Sequence, residues 1–106
     1  MPEALLVITT LPDRDSAEEL SRMLVEKRLA ACVNIGAAVT SIYEWDGRMQ
    51  QGSELMLTIK TIRTRYPALQ QAIIEGHPYE LPEVIAVPIT TGLPEYLAWI
   101  EKCTKS

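Results

Sequence analysis

The stretch ACVNIGAAVTSIYEWDGRMQQGSELMLTIK, residues 31–60, decides the fold. From Ala31 through Tyr43 it is β-rich, and it breaks at Asp46-Gly47, a pair that suits the two positive φ angles of a type I′ turn. It then resumes with Leu55, Leu57 and Ile59 alternating against Met56, Thr58 and Lys60. The pattern predicts two antiparallel strands joined by a tight turn. They are too long for the body they belong to: Ala31 to Trp45 would reach about 50 Å at roughly 3.3 Å per residue, against a radius of gyration of about 13 Å for a domain of this length. Even with a bulge or bend at Gly36, the tip overhangs. That tip carries Ile42, Tyr43, Trp45 and Met49, which a protruding ribbon leaves in water unless another chain covers them. A homo-oligomer with these four residues in its interface is expected.

Working outward, Ala4 to Thr10 is an almost unbroken apolar run, the pattern of a central strand. Ser16 with Glu19 three residues on reads as a capping box, opening a helix with Ala17, Leu20, Met23 and Leu24 on its apolar face and an end near Arg28. Beyond the hairpin, Thr64 to Glu75 is a second helix, with Pro67 in its first turn and Gly76 placed as a C-cap. Val84 to Pro88 is a short fourth strand, and Leu93, Tyr96, Leu97, Ile100 and Cys103 mark the apolar face of a C-terminal helix entered at Pro94. The order strand, helix, strand, strand, helix, strand is that of a ferredoxin-like α+β sandwich, a βαββαβ unit with an antiparallel sheet. A crossover helix makes strands one and two parallel, so strand three inserts between them, antiparallel to both. Thr9, Thr10, the hairpin tip and His77 then share one end of the sheet, and Cys32 and Lys60 lie at the other.

With 106 residues, 47% of them hydrophobic, the chain has the material for a single domain over 1–106. A net charge of −4 and scattered Lys and Arg argue against a nucleic-acid partner. No apolar run approaches the roughly 18 residues of a membrane span, and Met1-Pro2-Glu3-Ala4 lacks the basic region of a signal peptide, so a cytoplasmic protein is expected. Cys32 and Cys103 have neither CxxC nor zinc-type spacing and are read as free thiols. Nucleophile signatures, phosphate-binding glycine loops and paired-carboxylate motifs are all missing, so no enzyme is expected.

Chemistry concentrates in His77-Pro78-Tyr79-Glu80-Leu81-Pro82-Glu83, where two prolines hold the only histidine, a phenol and two carboxylates on an extended strip. The six steps from His77 to Glu83 span about 20 Å, too far for both to grip one ion. Four segments, RLAACVNI at 28–35, TSIYEWDG at 40–47, HPYELPE at 77–83 and EYLAWI at 95–100, together resemble the CutA family of divalent-cation tolerance proteins. The resemblance covers nearly the whole chain. It implies a ferredoxin-like subunit assembled through its long strands into a cytoplasmic, PII-like homotrimer that serves copper or other divalent-cation tolerance. Family members with a copper site use a cysteine near the end of strand one and two adjacent histidines. Here Thr9 and Gly76 replace the cysteine and the first histidine, leaving His77 as the matching ligand and weak Cu2+ binding as the expectation. Cys32, in the family's AAC motif, and Glu83, in its Pro-Glu pair, are lesser candidates. The alternative is a PII-like small-molecule or nucleotide sensor with an intersubunit cleft, where Lys60, Arg63 and Thr10 would contact an anion.

Overall fold

The computed structural model describes residues 2–105. Its elements are β1 (Ala4–Leu11), α1 (Arg14–Glu26), β2 (Cys32–Trp45), β3 (Arg48–Ile62), α2 (Tyr66–Gly76), β4 (Ile85–Pro88) and α3 (Pro94–Cys103). The sheet order is β2-β3-β1-β4 with every neighbouring pair antiparallel, so β3 does insert between β1 and β2. Side chains alternate across this sheet. Leu5, Val7 and Leu11 of β1 and Leu57 and Ile59 of β3 turn to one face, where Leu20 and Leu24 of α1 and Leu69 and Ile73 of α2 close the main core. Ile62 points the other way and meets Ile100 of α3 in a smaller cluster with Ala31, Leu97 and Cys103.

Local chemistry shifts several element ends. The cap of α1 is Asp13, not Ser16: the Asp13 carboxylate accepts the Ser16 N–H at 2.8 Å and meets the helix's orphan donors first. Arg63–Arg65 form a 3-10 turn ahead of α2, so the α-helix itself starts at Tyr66. Gly76 is not a left-handed cap, since among the glycines only Gly47 has positive φ. A Cβ on Gly76 would lie 3.3 Å from Leu20 Cδ1, so the residue is small because α1 passes close by. The helix stops because His77 precedes Pro78 and takes an extended conformation at φ −92, ψ 138.

The ribbon is as long as its sequence demands. Asp46 (φ 52) and Gly47 (φ 76) make the type I′ turn. Between Ile35 and Ala38 the register slips, three steps on β2 facing the two from Leu57 to Leu55. Gly36 sits in this bulge, where a Cβ would be 3.0 Å from the Met56 carbonyl oxygen. Pairing of β1 to β3 ends at Leu11 opposite Leu55, so the paired stretches 39–45 and 48–54 run on with only each other. They stretch the subunit to 45 × 25 × 23 Å. Ile42, Tyr43, Trp45 and Met49 are all exposed there, Met49 at 75%.

Thr9 shares the core face with Val7 and Leu11, is fully buried, and its hydroxyl finds no hydrogen-bond partner among the described residues. A buried hydroxyl without a partner costs on the order of 1 kcal/mol or more. Thr9→Val is expected to raise the melting temperature by several degrees, read by calorimetry. A lower melting temperature would mean that the hydroxyl is satisfied.

Candidate functional site

His77 is positioned by the end of α2 and by Pro78, which aim its ring at the end of β1. The ring is buried, and its Nε2–H donates to the Thr10 carbonyl at 2.6 Å. A carbonyl can only accept, so this bond places the proton on Nε2 and leaves Nδ1 as an acceptor. Nδ1 takes the Tyr79 N–H at 3.1 Å. The Tyr79 ring leans on the imidazole with centroids 4.8 Å apart, and its hydroxyl donates to Glu54 Oε2 at 2.8 Å. A continuous chain of contacts therefore joins the end of β1 to the base of the ribbon through His77, Tyr79 and Glu54.

Charge follows from these bonds. Burial raises the Glu54 carboxyl, but hydrogen bonds from Ser41, Tyr79 and Thr10, with His77 nearby, outweigh it and hold the group below its ordinary value of 4.5. Burial and then the bond to Glu54 push the Tyr79 phenol well above its ordinary value of 10.0. Glu54 is thus a carboxylate and Tyr79 a neutral donor at neutral pH. Around them lies a groove of about 810 Å³ between the ribbon and the proline strip, with Thr10, Ser41, Tyr43, Trp45, Glu54 and Glu83 among its walls.

The residues singled out in the sequence do not converge. Both nitrogens of His77 are engaged within the subunit. Cys32 is half-buried opposite Lys60 at the far end of the sheet, and Glu83 is exposed on the groove rim. The described residues hold no group of three or more His, Cys, Asp and Glu placed to bind one metal ion. The expected anion contacts are also dispersed. Thr10 pairs with Met56, whereas Lys60 pairs with Leu6 and gives its ammonium to Asn34 Oδ1, and Arg63 Nε donates to Glu3 Oε1 at 2.6 Å. Glu54 was not among the sequence candidates. Its one signal was register: with Thr10 opposite Met56, alternation puts residue 54 one pleat further along the same face.

The sequence matches the CutA1 divalent ion tolerance protein family over residues 5–103. The chain belongs to the CutA1 family. It is 47% identical to Protein CutA of Mus musculus over 97 residues, 92% of this chain and 55% of that protein, so it spans about half the mouse relative's length. The fold matches a crystal structure of CutA1, described as a stable protein, from the psychrotrophic bacterium Shewanella sp. SIB1, with TM-score 0.95, 50% identity, and 99% and 98% of the two chains covered. It also matches the CutA of Archaeoglobus fulgidus, described as a periplasmic divalent cation tolerance protein, with TM-score 0.93, 31% identity, and 96% and 99% covered. No described helix is long and apolar enough to cross a membrane.

Glu54 ties its titration to stability. A carboxyl held low in the folded state stabilises the protein above its unfolded pKa, and that contribution is lost as pH falls through the folded value. Tyr79→Phe removes one bond that holds it low, so it is expected to cost about 1 kcal/mol near neutral pH and to flatten the loss of stability below pH 4.5. Denaturant melts across the acid range read both. An identical acid limb in the variant would mean that the phenol does not set the titration of Glu54.

Proposed function

We propose that this chain acts in divalent-cation tolerance as a cytoplasmic homotrimer of PII-like architecture, without enzymatic turnover, binding copper or another divalent cation weakly. Membership of the CutA1 family, matched over residues 5–103, carries the reading. The trimer is supported by the overhanging ribbon, whose side chains at Ile42, Tyr43, Trp45 and Met49 are exposed in the subunit. The cytoplasmic placement is supported by two free thiols, Cys32 and Cys103, and sets this chain apart from the compartment described for the Archaeoglobus relative.

Weak metal affinity is supported by the donor set. A cation reaching His77 must displace either the Thr10 carbonyl or the Tyr79 N–H from the ring, and the described residues hold no group of three or more His, Cys, Asp and Glu placed to bind one metal ion. The nucleotide-sensor alternative keeps the groove but not the anion contacts, since Lys60 and Arg63 lie at the other end of the sheet.

Two pairs of measurements test this reading. In calorimetry with Cu2+, His77→Ala should abolish binding and Cys32→Ser should leave it intact. The reverse would move the site to the thiol end of the sheet. Trp45→Asp should loosen the assembly and lower its melting temperature, because a carboxylate forced into an apolar contact costs several kcal/mol to desolvate. An unchanged mass and melting temperature would put Trp45 outside the interface.

A further inference from the structure

We propose that the end of the subunit opposite the ribbon tip is a docking surface for an acidic segment of a partner protein. Lysine and arginine are scattered along the sequence, but four of the ten meet where α1 ends and α2 begins: Lys27, Arg28, Arg63 and Arg65. Arg65 ties the two segments together. Its Nε donates to the Arg28 carbonyl at 3.3 Å and its Nη2 to the Lys27 carbonyl at 3.5 Å, where the partial negative charge of a helix C-terminus favours a cation. Arg63 shows what the surface takes. It holds one carboxylate oxygen, Glu3 Oε1, between Nε at 2.6 Å and Nη2 at 2.5 Å, and both side chains of the pair are exposed. A pair of this kind contributes little to stability, so an incoming carboxylate can take the place of Glu3.

Arg28 carries the inference. It follows the C-cap of α1 at φ 58, in the left-handed region where that position is usually glycine. The residue is exposed, and its guanidinium makes no hydrogen bond or ion pair among the described residues, so nothing within the subunit offsets the strain. An arginine kept at a glycine position without a partner in its own subunit is placed for one outside it. The charge elsewhere limits that partner's length. Ten of the fourteen carboxylates lie in the first half of α1 with its cap, the ribbon with its turn, the end of α2 and the proline strip, so a long polyanion running off the patch would be repelled. A short acidic segment meets the cations alone. The patch is also clear of the interface assigned to Ile42, Tyr43, Trp45 and Met49 and of the metal reading at His77, which belong to the other end of the sheet.

Fluorescence anisotropy on the intact protein with a labelled hexaglutamate peptide tests the proposal. The peptide should bind saturably, and more weakly as salt is raised. An oligothymidylate of equal charge, spread over a longer backbone, should bind less tightly than the peptide. Arg28→Gly should weaken the peptide about threefold while melting no lower than wild type, because glycine relieves the left-handed residue. Should it melt lower, Arg28→Gln decides instead, with the same loss expected. Adding Lys27→Gln should bring the loss to about tenfold. Arg14→Gln removes a cation at the other end of α1 and should change nothing. The mass of the assembly by light scattering should be the same with and without the Arg28 substitution. No saturable peptide binding, tighter binding of the oligonucleotide, an equal loss in Arg14→Gln, undiminished affinity in the decisive Arg28 variant, or a fall in mass that places Arg28 between copies of the chain would overturn the assignment.

Discussion

A β-ribbon that outruns its own sheet is the constraint on which the rest of this subunit depends. Within the body, β3 has β2 on one side and β1 on the other, and both faces of that stretch carry packing. Past Leu11 and Leu55 the ladder has two strands only. A lone two-stranded hairpin is marginal in water. The extension must draw its order from braces at its base and from whatever covers its tip.

The brace at the base is polar. His77 is buried at the end of α2 and spends both nitrogens on it, one on Thr10 and one on Tyr79, and the phenol carries the connection to Glu54 on the ribbon. Pro78 supports this by keeping His77 extended, so the ring reaches β1 instead of continuing the helix. A histidine used in this way resembles a structural clasp more than an open ligand.

The architecture was legible because its signals are local and agree with one another. Asp46-Gly47 set the turn, the alternation from Leu55 to Ile59 set the face, and the helix between strands one and two forced β3 into the middle of the sheet. Boundaries were less legible where two residues compete for one task. Asp13 took the cap that Ser16 with Glu19 signalled, and Gly76 serves close packing against Leu20 instead of a left-handed turn. The candidate site was half legible. The strip at 77–83 announced itself through its prolines, and its end of the sheet followed from topology. Glu54 did not, since a glutamate in a polar ribbon looks solvated until the Thr10–Met56 register brings it under Tyr79, 25 residues further along the chain. The dispersal of Lys60 and Arg63 was likewise invisible without knowing that Asn34 and Glu3 hold them.

What covers the ribbon tip is the point on which the whole description turns, and the mass of the wild-type protein in dilute solution measures it most directly. If further copies of the chain bury Ile42, Tyr43, Trp45 and Met49, light scattering returns about 36 kDa, three times the 11.9 kDa of one chain. A folded species of 11.9 kDa with a cooperative melt would contradict it, because the ribbon would then be ordered with nothing over it.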